Sequence, residues 1–362
     1  MRNRRPALAA IAGAASVSLA LTACGQSGAA RPEKGGTVGI AMPTRASERW
    51  ITDGNNVVKD LKGMGYKTRL VYGDGDPERQ VAQIQDLVTR GVDVLVVAAI
   101  DNRSLGKVLQ QAADAEIPVI SYDRLILGTE NVDYYASFDN EQVGRLQARY
   151  IIDELGLEDG KGPFNIELFA GSKDDNNTKY FFDGAMQLLQ PYLDKKRLVV
   201  RSGQTGLNKV TTLRWDGATA RKRMKGILAT SYGIGKVDAV LSPYDGISMG
   251  VLGALKADGY GSGAKPLPVV TGQDAELASV KSIIAGQQTQ TVYKDLRQLA
   301  EVTARMADDV LNDREPTLND NGTYDNGSKV VPAYLLQPTS VDRTNYKEVL
   351  VGGGYYTDAE LK

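Results

Sequence analysis

The sequence predicts an α/β fold made of two open, doubly wound parallel sheets. Three observations carry this expectation. Short apolar runs alternate with amphipathic stretches along most of the chain, polar residues repeatedly follow the runs, and the chain is too long for a single core. Strands buried on both faces read as short apolar runs, and their alternation with helices calls for right-handed crossovers between parallel strands. Roughly 330 of the 362 residues follow the leader and spacer described below, which fits two sheets better than one.

The elements are expected in this order. The run Val38 to Met42 is the first strand, closed by Pro43, which has no N–H to give a sheet ladder. Leu95 to Ala98, Pro118 to Ser121, Tyr134 to Phe138, Asn165 to Phe169, Ala239 to Leu241 and Pro268 to Val270 are the later strand candidates. Apolar residues recur at helical spacing over Trp50 to Met64, Pro77 to Arg90, Ser104 to Glu116, Gln142 to Leu155, Thr178 to Leu193, Ala218 to Leu228 and Leu277 to Ile284. Several of these stretches end on glycine (Gly65, Gly91, Gly156), the residue that best ends a helix in a left-handed turn.

Ahead of the first strand stands a leader. Arg2, Arg4 and Arg5 precede an apolar stretch from Ala7 to Leu21, and Leu21-Thr22-Ala23 leads into Cys24, the only cysteine. A positive start, an apolar middle and small residues before a cleavage point make a secretory signal. Ending it in cysteine resembles the bacterial lipobox, which implies cleavage before Cys24 and a lipid on its thiol. The apolar stretch is short for a membrane span of about 20 residues. Residues 25 to 36, rich in Gly, Ser, Ala and Pro, read as a flexible spacer. The expected product is a globular body tethered by lipid on the outer face of the cell membrane.

Composition narrows the chemistry. The chain is 42% hydrophobic and 24% charged, as ordinary globular proteins are, with a formal charge of -1 that falls to about -4 once the three leader arginines are removed. No basic stripe is present, so a nucleic-acid partner is not expected. The sequence holds no histidine, and beyond Cys24 no thiol. Histidine triads, thiol nucleophiles and His/Cys zinc sites are therefore excluded. No cofactor is expected, and an enzyme would have to work with carboxylates, lysine or hydroxyls.

In doubly wound sheets ligands bind beyond the carboxyl ends of the strands. Polar residues gather there: Asp101, Asp123 with Arg124, Asp139 with Asn140, Asp174 to Asn177, Asp245 and Asp274. One such aspartate is an ordinary helix cap; six positions point to a shared polar cleft. Asp, Asn and Arg supply the paired donors and acceptors that fit vicinal hydroxyls, and an aromatic ring covers the apolar face of a pyranose. Only two tryptophans occur, Trp50 and Trp215, each beside charged residues. The stretch from Gly259 to Gly263 follows a helix rather than a strand and reads as a connector, and Asn319 to Asn326 lacks calcium-loop spacing and reads as a solvated turn.

At Glu48-Arg49-Trp50, Ser121-Tyr122-Asp123-Arg124, Phe138-Asp139-Asn140, Asp175-Asn176-Asn177, Arg214-Trp215-Asp216 and Gly272-Gln273-Asp274, the chain resembles the xylose-binding and ChvE-type multiple-sugar receptors of bacterial ABC importers. The likeness runs from about Thr37 to the last residue. It implies the type I periplasmic-binding-protein fold, two lobes joined by a three-segment hinge with a monosaccharide enclosed between them. The implied organisation is a signal over 1–23, a tether over 24–36, a first lobe over 37–138 plus about 295–331, and a second over 139–294 plus about 332–362. On this resemblance Arg49, Trp50, Asp123 and Arg124 hold sugar from the first lobe. Asp175, Asn177, Trp215 and Asp245 belong to the second, and Asp274 and Lys294 lie near the hinge. Phe182 and Tyr244-Asp245 depart from the xylose-specific pattern, which leaves glucose, galactose, arabinose and related aldoses open. The implied partner is an importer permease, and the implied state is a monomer. A sugar sensor that presents its ligand to a membrane receptor, and an exported carboxylate-based glycosidase, are the alternatives.

Overall fold

A computed structural model describes residues 35–362; the leader, Cys24 and the spacer up to Lys34 lie outside the described residues. The strands in chain order are β1 (Thr37–Met42), β2 (Lys67–Tyr72), β3 (Val94–Val97), β4 (Val119–Tyr122), β5 (Tyr134–Phe138), β6 (Phe164–Leu168), β7 (Leu198–Val199), β8 (Ala239–Leu241), β9 (Val269–Val270), β10 (Gln290–Tyr293), β11 (Ala333–Leu336) and β12 (Thr339–Asp342). The helices are α1 (Glu48–Gly63), α2 (Pro77–Thr89), α3 (Gly106–Asp114), α4 (Asn140–Leu155), α5 (Asn177–Asp194), α6 (Leu207–Val210), α7 (Gly217–Ser231), α8 (Asp245–Ala257), α9 (Leu277–Ile284) and α10 (Leu296–Leu311).

Two sheets organise these elements. The first has the order β11-β5-β4-β3-β1-β2 and is parallel throughout. One face packs on α1 and α10 through Val57, Leu61, Leu299 and Ala304, and the other on α2 and α3 through Ile84, Leu87, Val108 and Leu109. The second sheet, β7-β6-β8-β9, is also parallel. It lies between α4 and α5 on one side and α7 and α8 on the other. Both lobes are thus doubly wound, the arrangement the alternating pattern predicts.

The chain passes between the lobes at Asp139, between Tyr293 and Leu296, and between Leu336 and Thr339. The expected second-lobe boundary near residue 332 is corrected here. Ala333–Leu336 pairs in parallel with Tyr135–Phe138, so this strand stays in the first lobe and the last crossover runs over Gln337 and Pro338. Beyond it, β12 pairs antiparallel with β10 in the second lobe.

Local chemistry explains several ends. Asp76 caps α2 by accepting from Glu78 N at 3.0 Å and Arg79 N at 3.3 Å, with Pro77 in the first turn, where its missing N–H costs nothing. Gly156 ends α4 at φ 61°, where glycine carries no Cβ penalty. Two glycines set the approach of α4 to α5: a Cβ on Gly144 would stand 2.0 Å from the Phe181 carbonyl oxygen, and one on Gly184 2.1 Å from that of Glu141. The two helices therefore touch backbone to backbone. Since α4 begins at the first crossover and α5 begins with Asn177, this contact ties the hinge to the cleft.

Candidate functional site

A cavity of about 390 Å³ lies between the lobes at the carboxyl ends of their strands. The first lobe contributes Arg49 and Trp50 from the first turn of α1, and Asp123 and Arg124 just past β4. The second contributes Asp175 and Asn177 past β6, Trp215 ahead of α7, Asp274 past β9 and Lys294 past β10. Of the ten contact residues that the resemblance implies, all but Asp245 line this cavity, whereas Asp101, Asp139 and Asn140 from the strand-end group do not.

Arg49 is the hub. Its Nη2 donates to Asp123, its Nη1 donates to Asp274 Oδ2 at 3.2 Å, and its Nε stands 3.4 Å from Asp53 Oδ2. Lys294 Nζ lies 2.9 Å from Asp274 Oδ1. A second interlobe ion pair joins Arg124 Nε to Asp175 Oδ2 at 3.0 Å, and the same carboxylate oxygen accepts from Trp215 Nε1 at 3.2 Å. Asn177 Nδ2 donates to the Asp123 carbonyl at 2.8 Å, while its Oδ1 accepts from Asn140 Nδ2 at 3.1 Å and Tyr135 OH at 3.2 Å. The amide is thereby oriented from both sides.

Aromatic rings complete the walls. The guanidinium carbons of Arg49 and Arg124 lie 4.7 and 5.1 Å from the Trp50 ring centroid. Trp215 meets Phe181 and Tyr244 edge to face at 6.1 and 6.0 Å. It also packs against Gly171, where a Cβ would stand 2.0 Å from the indole, so only glycine admits the ring this closely. Backbone strain gathers at the same place. Asp74, Asp123, Arg214, Trp215 and Asp274, all lining the cavity, have φ of 53, 58, 53, 59 and 90°. Left-handed backbone costs a non-glycine residue about 1–2 kcal/mol, and it persists where surrounding contacts over-determine it.

Asp245 is a correction. It is the first residue of α8, fully buried and absent from the cavity wall. It accepts from Gln288 Nε2 at 2.8 Å, Glu276 N at 2.8 Å and Thr291 Oγ1 at 3.1 Å. Its neighbour Tyr244 takes the cavity position instead, with its hydroxyl donating to Glu276 at 2.5 Å. Likewise Phe182 packs into the core of the second lobe while Phe181 reaches the cavity. Asp101 and Asp139 accept from the backbone N–H of Arg103 and Gln142, both at 2.8 Å, as turn and cap residues. Gln273 also lines the cavity; like Tyr244 it stands in a stretch that bears on the resemblance without being assigned a contact there, while Phe181 carries no sequence signal of its own.

The profile of the periplasmic binding protein domain matches residues 38–315. The chain belongs to the periplasmic binding protein family. It is 61% identical over 326 residues to the multiple sugar-binding periplasmic protein SbpA of Azospirillum brasilense, covering 90% of this chain and 91% of that one. It is 60% identical over 327 residues to the multiple sugar-binding periplasmic receptor ChvE of Rhizobium radiobacter, covering 90% and 92%. An ABC transporter solute binding protein of Clostridium phytofermentans, solved with bound β-D-glucose, matches at 45% identity and a TM-score of 0.86, over 90% of this chain and 100% of that one. The type I periplasmic-binding-protein fold, with two lobes around a cleft, is the fold of this chain.

In this member of the family the electrostatics under the cleft are uneven. Burial works against the Arg49 charge, but Asp123, Asp274 and Asp53 outweigh it and hold the guanidinium firmly ionised. Burial likewise opposes the charge of Asp274, and Arg49 with Lys294 overcomes it, so this carboxyl sits below its ordinary range. Asp53 is less well compensated than Asp274. It is fully buried, its Oδ1 accepts from Tyr122 OH at 2.6 Å, and its Oδ2 has only the longer approach of Arg49. Burial therefore wins, and its pKa is pushed up from 3.8 to about 7.

Between those two values the folded chain holds a proton that the unfolded chain has released, so Asp53 makes stability fall as pH rises from about 4 to about 7. Asp53→Asn is expected to remove this contribution. Urea unfolding of the parent and the variant across that window reads the difference; if it stays constant with pH, the Asp53 carboxyl is already ionised in the folded protein.

Proposed function

We propose that this chain is an extracytoplasmic solute-binding protein that captures one monosaccharide, such as glucose, xylose, galactose, arabinose or a related aldose, and hands it to an ABC importer. The observation that carries this reading is the interlobe cavity, in which both tryptophans of the sequence and the ion-paired Arg49, Arg124, Asp175 and Asp274 meet. A sugar offers vicinal hydroxyls that donate and accept in pairs, and each buried polar group left unpaired costs about 1–3 kcal/mol. Side chains already fixed by ion pairs and by strained backbone meet that demand with little ordering on binding. The indole rings supply apolar faces for the C–H surface of the ring.

Capture works through closure. Contacts from both lobes make sugar bind the closed cleft more tightly than the open one, so binding shifts the population toward closed. No bond is broken: the family consists of binding proteins, and here Asp123, Asp175 and Asp274 are each committed to a cation rather than left as a free acid. Affinity near micromolar, about -8 kcal/mol, suits a ligand that must be released again. The reading extends to a monomer that docks on a membrane permease and stays beside it through a lipid on Cys24, needing no cofactor and no nucleic acid.

A screen of monosaccharides by thermal unfolding is expected to show one or more aldoses raising the melting temperature, because a ligand specific to the folded state stabilises it. Calorimetry is then expected to show Trp215→Ala weakening the best sugar by at least about tenfold, roughly 1.4 kcal/mol. A flat response to every sugar refutes the function, and unchanged affinity in the variant removes Trp215 from the site. For the anchor, membranes of the producing cell should retain the parent, while Cys24→Ser appears unprocessed or released; equal retention without processing defects argues against lipidation.

A further inference from the structure

The turn that carries Asp274 is strained over two successive residues, with φ of 90° at Asp274 and 48° at Ala275. Neither is glycine, so the conformation must be imposed from outside the turn. Part of the hold comes from within the second lobe. Asp274 N donates to the Val292 carbonyl at 2.9 Å, Ala275 N to Thr291 Oγ1 at 3.1 Å and Glu276 N to Asp245 Oδ2 at 2.8 Å. The Thr291 hydroxyl itself donates to Asp245, so this buried aspartate braces the turn through two routes.

The other part comes from the far end of the sequence. Tyr356 OH donates to the Ala275 carbonyl at 2.9 Å. The Tyr356 ring packs on Tyr355, and Tyr355 on Tyr293, at centroid distances of 4.9 and 4.8 Å. Tyr293 immediately precedes Lys294, the cation on Asp274. Arg297, in the first turn of α10 just beyond the second crossover, donates from Nη1 to the Gly354 carbonyl at 2.6 Å and from Nη2 to that of Gly353 at 2.9 Å. Its guanidinium is fixed in turn by Asp295, at 2.7 and 2.9 Å. The 353–356 segment is therefore fastened at one end to a first-lobe helix and at the other to the turn beneath the cleft.

We propose that this segment is a strap belonging to the binding machinery, in which Tyr356, anchored by Arg297, is a positioning residue that aims the Asp274 carboxylate by holding the left-handed Asp274–Ala275 backbone. None of residues 353–356 lines the cavity, so the strap acts through Asp274. This inference rests on the sugar-binding reading above.

The test uses the full-length protein, D-glucose as probe and calorimetric titration, with melting temperature recorded without sugar to establish folding. The parent must bind first; where glucose does not bind, the aldose that most raises the melting temperature takes its place, and a parent that binds no aldose refutes the function and with it the strap. Tyr356→Phe deletes a single hydrogen bond and is expected to weaken glucose about fivefold. Arg297→Gln, which frees the other end, is expected to weaken it in the same direction. The diagnostic arm is Ala275→Gly added to Tyr356→Phe. Glycine takes the left-handed backbone without strain, so it should restore affinity to within about twofold of the parent although it restores no contact. Affinity of Tyr356→Phe within twofold of the parent overturns the proposal, as does a loss that Ala275→Gly leaves unrepaired.

Discussion

Burying the Arg49 guanidinium between two lobes is the constraint on which the rest of this structure depends. A buried charge is tolerable only when it is paired with good geometry, and removing one partner strands the other. Arg49 meets that condition by drawing carboxylates from both lobes, Asp53 and Asp123 from the first and Asp274 from the second, while Lys294 shares the load on Asp274. The cluster thus sets two cations, Arg49 and Lys294, against carboxylates drawn from both lobes, and burial raises the pKa of the Asp53 carboxyl among them. A cleft so balanced favours an uncharged, polyhydroxylated ligand that can bridge fixed donors and acceptors without adding charge.

The fold serves this arrangement in a specific way. Parallel strands deliver their carboxyl ends to one edge of each sheet, and the crossovers set the two edges face to face. Precision then comes from backbone features and not from the sheets alone. Left-handed residues aim Asp123, Trp215 and Asp274, Gly171 lets the indole lie against the chain, and the Gly144 and Gly184 contact locks α4 to α5. Strain and close approach are concentrated where ligand geometry matters, and ordinary packing supports them from behind.

Much of the fold was legible because buried parallel strands and amphipathic helices leave clear marks. The exceptions have physical reasons. Strand β2, at the sheet edge, reads Lys67-Thr68-Arg69-Leu70 and lacks an apolar run because solvent covers much of it. Helix α8 is largely apolar and packs against both α7 and its sheet, and so lacks the contrast that marks a surface helix. Strand β11 is short and reaches its partner β5 across nearly 200 residues of chain, a pairing that no local pattern specifies, and the lobe boundary was misplaced there for that reason. At the site, Asp123, Arg124, Asp175, Asn177 and Asp274 are legible from strand ends and the two tryptophans from their rarity, whereas only the family resemblance marks Arg49 and Lys294. Adjacency could not tell Tyr244 from Asp245 or Phe181 from Phe182, because which side chain faces the cleft is settled by the helix start and not by the residue type. Asp53 looks like any polar position on a helix, and only tertiary burial gives it a role.

Trp50 and Trp215 are the only tryptophans of the chain and both line the cavity, so intrinsic fluorescence reports on the cleft from both walls at once. Titrating D-glucose into the purified protein while recording that emission is the most direct test. The account predicts a saturable change with one sugar per chain, lost when Asp274→Ala takes away the carboxylate shared by Arg49 and Lys294. Emission that stays constant through millimolar glucose and the other aldoses, in a protein that is folded, would contradict it.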